Sequence, residues 1–183
     1  MNAPDPVVLR LTELPTSLDL LVLRRAIAAS IECGDQPLIR GISEAAYARL
    51  RSVCAPDAPA SNGPAAKQAF DEFDELFELL CEHAEPRCEH TTWLAAAIAT
   101  AAQRDQHLWQ DMGLPSRREL SAILQTRFPA LAARNDRDMK WKKFFYRQLC
   151  ERAGVPICKS PNCADCSDYM LCFGPEIDPC TAP

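Results

Sequence analysis

Apolar residues recur at helical spacing along most of this chain, and no stretch alternates as a half-buried strand would. Leu18 to Cys33 predicts a first helix. Ile42 to Cys54 predicts a second, with Ile42, Ala46, Leu50 and Val53 on one side and Ser43 as an N-cap one residue late. The pattern then breaks at Ala55-Pro-Asp-Ala-Pro-Ala-Ser-Asn-Gly-Pro64, a composition that reads as a linker or exposed loop. Residues 65 to 82 are amphipathic. Phe70, Phe73, Phe77 and Leu80 share a face with Leu76 and Cys81, while Asp71, Glu72, Asp74, Glu75, Glu78 and Glu82 make the other side acidic. That side is read as solvated, with a docking surface for a basic partner as the alternative.

Beyond Pro86, one helix is expected from about Thr91 to Met112. Its stripe is Trp93, Leu94, Ala97, Ile98, Ala101, Leu108, Trp109 and Met112, and Gly113 ends it as a C′ glycine. Ser116-Arg-Arg-Glu119 has the form of a capping box opening a helix whose core face is Leu120, Ile123, Leu124 and Phe128, ended or kinked by Pro129. A last helix, about Asp138 to Ala153, sets Trp141, Phe144, Phe145 and Leu149 on one stripe and stops at Gly154. No helical period survives beyond that point. The fold class is all-α, an irregular helical bundle of about five to six helices with a C-terminal cysteine-rich metal-binding loop. Three regions follow: residues 1–64 as an N-terminal helical segment and linker, 65–154 as the helical body, and 155–183 as the cysteine-rich loop and tail.

Charge and composition narrow this further. A net charge of −5 argues against a general nucleic-acid binder, which needs a cationic face. The first residues lack the basic start of a secretory leader, and the apolar run Leu18 to Ile31 is interrupted by Arg24 and Arg25 and too short to span a bilayer, so neither export nor membrane insertion is expected. A cytoplasmic protein keeps its thiols reduced, and its ten cysteines then read as metal ligands before disulfides. Between Arg134 and Arg152 seven basic residues (Arg134, Arg137, Lys140, Lys142, Lys143, Arg147 and Arg152) face three acidic ones. This stretch is a solvated face, a balance for the charge of a thiolate-bound cluster, or an attractor of an oxyanion.

Four of the cysteines fall within fifteen residues: Cys158, Cys163, Cys166 and Cys172, spaced Cys-x4-Cys-x2-Cys-x5-Cys. Pro156, Pro161 and Pro175 suit a wrapping loop. Thiolates are soft ligands for zinc, Cu(I) and iron–sulfur clusters. Zinc sites usually pair two knuckles a dozen or more residues apart, which this spacing lacks. Cys-x4-Cys-x2-Cys is the opening of the plant-type ferredoxin pattern. Iron–sulfur leads on spacing, and zinc and a metal-free or disulfide state remain as alternatives. Cys150 and Cys180 flank the loop, and His107 ends a helical run beside Leu108 and Trp109; these three are secondary metal candidates. Cys81 reads as a small buried residue, and Cys33, Cys54 and Cys88 carry no ligand spacing, nor do His83 and His90 around Cys88. No nucleophile–base pair, phosphate loop or zinc-protease motif is present, so an enzyme is not expected.

Three stretches together resemble one family. His107-Leu-Trp-Gln-Asp-Met-Gly-Leu-Pro-Ser116, Met139-Lys-Trp-Lys-Lys-Phe-Phe-Tyr-Arg-Gln-Leu-Cys-Glu151, and the cysteine loop closing on Phe173-Gly-Pro-Glu176 are similar to NifQ, the molybdenum-handling protein of nitrogen fixation. The resemblance covers roughly residues 68 to 176. It implies a carrier whose iron–sulfur cluster can hold molybdenum for the iron–molybdenum cofactor of nitrogenase. Its cluster ligands would be Cys158, Cys163, Cys166 and Cys172. Its partners would be molybdate or another molybdenum source and, transiently, the nitrogenase cofactor-assembly proteins (scaffold and nitrogenase reductase), with no nucleic acid and no membrane. A ferredoxin-like electron carrier and a zinc-stapled helical interaction module are the competing readings.

Overall fold

The computed structural model of the 183-residue chain describes residues 14–64, 71–155 and 163–176. Those residues are all helical where they are regular, and no strand occurs among them. Helix α1 (Ser17–Cys33) starts where Thr16 accepts from the Asp19 backbone and Asp19 reaches back to the Thr16 N–H at 2.6 Å, a reciprocal cap. It ends at Gly34, whose φ of 71° is left-handed. Helix α2 (Glu44–Cys54) is capped by Ser43, so Ile42 lies outside it. Helix α3 (Phe73–Glu82) carries the second half of the expected amphipathic run; Phe70 is outside the described residues.

Helix α4 (Glu89–Ala102) is the centre of the molecule. Twelve of its residues are buried, from His90 and Thr91 through the alanines to Ala102. A helix apolar on every side belongs in a core, and its alanines let neighbours approach closely. Helices α1 and α3 pack against it, with Val22, Leu23, Ala26 and Ile27 from one and Phe73, Leu76, Leu79 and Leu80 from the other. α1 also meets helix α6 (Arg117–Arg127), and the two are joined by a buried ion pair between Asp19 and Arg127. Residues from α1 and α2 thus share one core with those from α3 to α8.

Several expectations need correction. The single helix from Thr91 to Met112 is two pieces, α4 and α5 (Leu108–Asp111). The five residues between, Gln103-Arg-Asp-Gln-His107, offer no apolar face, and Arg104 turns aside to Asp35, Ser30 and the Asp111 carbonyl. Leu108, Trp109 and Met112 are nevertheless buried as the stripe predicts, and Gly113 follows at φ 64°. On α2, Val53 is 48% exposed, and Tyr47, Leu50 and Cys54 face the core. Phe77 is only half-buried, stacked on Phe73 with centroids 5.7 Å apart. Ser116 caps α6, but its hydroxyl binds the Glu119 carboxylate at 2.6 Å instead of completing a reciprocal box. Pro129 ends α6 and opens the short α7 (Pro129–Ala132). With α8 (Trp141–Arg152) and α9 (Tyr169–Phe173), the described residues form more helical segments than the five or six expected. The surplus comes from these breaks and from α9, inside a loop expected to have no helix.

Candidate metal centre

The platform for the cysteine loop is α8. Trp141, Phe144 and Phe145 are buried and mutually in contact, with centroids 5.7–5.9 Å apart. Leu149 extends the stripe as a partly buried residue. Polar bonds fix the helix further: Trp141 Nε1 donates to Ser121 Oγ at 3.0 Å, and Tyr146 donates to the Ala102 carbonyl at 3.1 Å. Lys142 is ion-paired with Asp111. Burial pushes the Asp111 carboxyl up, and the Lys142 hydrogen bond acts against that shift. The basic stretch is therefore not a simple solvated face. Lys142 is engaged in the body, and Arg152 pairs with Glu82 at 2.8 Å and Glu78 at 3.6 Å, which draws in part of the acidic side of α3.

α8 stops at Ala153, and Gly154 turns the chain at φ 69°. Cys158 and Cys180 lie outside the described residues. Cys163–Asp165 form a 3₁₀ turn. The Cys166 N–H donates to the Cys163 carbonyl at 3.2 Å, and the Tyr169 N–H to the Cys166 carbonyl at 3.1 Å. These two turns feed α9, which carries Cys172 and stacks Tyr169 on Phe173 at 4.8 Å. Cys163, Cys166 and Cys172 are all half-buried.

Several contacts pin this segment to the helical body. The Lys140 N–H donates to the Cys172 carbonyl at 2.8 Å. Arg117 on α6 binds Glu176 at 2.8 Å, and the Glu176 side chain is nearly buried. On the other flank, Arg147 Nη1 lies 3.8 Å from Cys163 Sγ. Gly174 closes α9, and a Cβ there would meet the Met170 carbonyl oxygen at 2.5 Å, so no other residue fits without a shift. Phe173-Gly-Pro-Glu176 is thus the clasp of the loop. Its partner Arg117 carried no distinguishing signal in the sequence.

The secondary candidates are placed as follows. His107 is the N-cap of α5, with Nδ1 3.9 Å from Glu176 Oε1, so it faces the clasp. Cys150 is half-buried on α8, and its carbonyl accepts from Val155 N–H at 2.9 Å. Cys88 Sγ lies 3.2 Å from His90 Nδ1 at the start of α4. Cys54 is buried, and desolvation pushes its thiol up to about 11 despite nearby Arg24. Burial likewise raises the half-buried Cys81. Among the described residues no three His, Cys, Asp or Glu side chains converge on one point. Three half-buried cysteine sulfurs in ten residues are soft donors of the kind that suit an iron–sulfur cluster, whose ligands sit around a body larger than one ion.

A cleft of about 580 Å³ opens beside Cys163. It is lined by Arg134, Arg137 and Arg147 together with Gln148, Glu151 and Phe173, among others. The Arg137 guanidinium lies 5.1 Å from the Phe173 ring centroid, and Arg134 Nη1 donates to Gln148 Oε1 at 3.0 Å.

Fold and site together define a class: an all-helical protein that presents a thiol-rich C-terminal loop on an aromatic helix. The family model for NifQ matches residues 22–174, and the chain belongs to the NifQ family. It is 40% identical to Protein NifQ of Rhodobacter capsulatus over 138 residues, 74% of this chain and 76% of that one. It is 45% identical to Protein NifQ of Azotobacter vinelandii over 107 residues, 58% of this chain but only 55% of that protein's length. A NifQ homolog of Sinorhizobium fredii is 45% identical over 96 residues, 52% of this chain and 42% of that one. No solved structure matches this chain. Cys158, Cys163, Cys166 and Cys172 all fall within the family match. No helix among the described residues is long and apolar enough to cross a membrane.

Proposed function

We propose that this protein is a non-enzymatic molybdenum carrier of nitrogen fixation, working in the cytoplasm. In this reading it supplies molybdenum to the proteins that assemble the iron–molybdenum cofactor of nitrogenase. Cys158, Cys163, Cys166 and Cys172 would hold an iron–sulfur cluster, which when bound supplies a sulfide environment for molybdenum. The observation that carries the reading is the loop itself. Cys163, Cys166 and Cys172 are held half-buried on the helical body by the Lys140–Cys172 and Arg117–Glu176 contacts, inside the stretch shared with the NifQ family. Half-burial suits a carrier. It shields thiolates from bulk solvent but keeps them within reach of a partner.

The chain's own residues have separable tasks here. The aromatic stripe of α8 fixes the platform, Gly174 and Glu176 close the loop, and Arg147 sets its guanidinium 3.8 Å from the Cys163 sulfur. The test is anaerobic purification followed by measurement of iron, sulfide and molybdenum per chain with visible absorbance. A coloured protein that holds iron and molybdenum, loses both on Cys166→Ala, and releases molybdenum to acceptor proteins is expected. A colourless protein containing only zinc, or one that holds iron but never molybdenum, would overturn the proposal.

A further inference from the structure

We propose that the arginine-lined cleft beside Cys163 is a binding site for a tetrahedral oxyanion, and that the anion is molybdate held before it reaches the cysteine loop. The class of ligand rests on the cleft alone; its identity as molybdate rests on the carrier reading above. Three guanidiniums line the cleft against two carboxylates, Asp136 and Glu151. Both oxygens of Glu151 are engaged within α8, Oε1 by Arg147 Nε at 2.7 Å and Oε2 by Gln148 Nε2 at 2.9 Å. Asp136 is exposed to water, where its charge is screened. Among the described residues neither Arg134 nor Arg137 forms an ion pair, whereas Lys142 and Arg152 of the same stretch do.

The three side chains are also oriented. Gln148 holds Arg134, the Phe173 ring carries Arg137, and Arg147 reaches toward Cys163. A guanidinium held over a ring by cation–π attraction keeps its N–H donors available, and its fork geometry matches pairs of oxyanion oxygens better than a lysine does. The floor includes Met139, Phe144 and Phe173, so an anion there is partly removed from water and feels the guanidiniums more strongly. The cleft exceeds one tetrahedral anion in size and admits it with some of its hydration. Molybdate in this position would sit next to Cys163, the first described thiol of the loop.

Equilibrium dialysis of the cluster-free full-length chain against molybdate, with phosphate as a second arm, tests the site at low ionic strength. The double variant Arg134→Gln/Arg137→Gln should bind molybdate about tenfold or more weakly, the loss expected for one charge-assisted hydrogen bond. Arg152→Gln, which removes one positive charge from the same stretch, should stay within about twofold because that charge is already paired with Glu78 and Glu82 and does not line the cleft. Far-UV circular dichroism shows that each variant is folded. Wild-type affinity in the double variant, or no binding by the wild type, would overturn the site, and equally tight phosphate binding would overturn its assignment to molybdate. Metal analysis of the anaerobic protein is independent of this result. A chain that captures molybdate through these arginines but carries no iron keeps the site and loses the cluster.

Discussion

Arg117, the first residue of α6, and Glu176, four residues beyond the last cysteine of the loop, are joined by an ion pair of 2.8 Å across 59 positions of chain. The same guanidinium binds the Asp138 carboxylate at 2.7 Å and the Met139 carbonyl at 3.0 Å. One side chain therefore ties α6, the approach to α8 and the end of the cysteine loop together. Arg117→Ala would leave the nearly buried Glu176 carboxylate without this partner, at a local cost of about 1–3 kcal/mol. The expected outcome is faster amide exchange across residues 163–176, with protection in α1 and α4 unchanged. Uniform loss of protection would show instead that Arg117 supports the whole fold.

Gly174 and Gly154 make opposite demands. At Gly174 the obstacle is space, since a Cβ would lie 2.5 Å from the Met170 carbonyl oxygen. At Gly154 nothing lies within 4 Å, and the obstacle is only the φ of 69°. Gly154→Ala should cost about 1 kcal/mol, the usual penalty for a side chain in left-handed backbone. Gly174→Ala should shift α9 and lower iron uptake on reconstitution, while leaving the thermal unfolding of the helical body near that of the wild type. Equal iron uptake by both variants would show that the clasp is not needed for loading.

The residues of the core and those of the candidate site were legible for different reasons. Leu120, Ile123, Leu124 and Phe128 follow from periodicity, because a helix face must be buried and its spacing is fixed. The break after Ala102 did not follow from the apolar stripe, because the stripe resumes in register at Leu108; only the polar run between them marked it. Val53 misled because α2 has a second apolar flank, Tyr47 and Cys54, that faces α1 and the loop after it. The cysteine spacing was explicit. The Arg117–Glu176 clasp and the grouping of Arg134, Arg137 and Arg147 around one cleft were not, since both depend on long-range packing that no local pattern encodes.

The buried pair of Asp19 and Arg127 predicts an acid sensitivity. Arg127 Nη2 and Nε meet the two Asp19 oxygens at 2.6 and 2.9 Å, with Asp19 fully buried. Burial alone would raise the Asp19 carboxyl. The Arg127 hydrogen bond and the Thr16 cap outweigh it and hold the group below the ordinary carboxylate value. The folded chain then binds fewer protons here than the unfolded chain, so the stabilisation is fully present above the unfolded pKa. It is lost as pH falls through the folded one. Asp19→Asn should cost about 3–5 kcal/mol at neutral pH, because it leaves Arg127 buried without its charge partner. Urea unfolding at pH 7 and near pH 3 checks this, and the gap between wild type and variant should narrow at the lower pH. A gap that widens in acid would contradict the assignment.

Thiol reactivity separates structural cysteines from candidate ligands. Cys54 is 3% exposed, donates to the Leu50 carbonyl at 3.2 Å, and has its thiol pushed up to about 11 by burial. At pH 8 only about one in a thousand such groups is thiolate, the nucleophilic form, and access is blocked as well. Cys163, Cys166 and Cys172 are half-buried, and Cys33 is exposed at the end of α1. Iodoacetamide on the metal-free reduced protein should therefore label Cys33 and the three loop thiols first, and Cys54 only after urea is added. Repeating the reaction after anaerobic reconstitution with iron and sulfide makes Cys33 an internal reference, because it lies outside the loop. Protection of Cys158, Cys163, Cys166 and Cys172 with Cys33 still labelled would place the cluster on those four. Protection extending to Cys150 would add the α8 thiol to the ligand shell. Labelling of the loop at the same rate before and after reconstitution would remove these cysteines as cluster ligands, because a thiolate bound to iron cannot attack the reagent at its free rate.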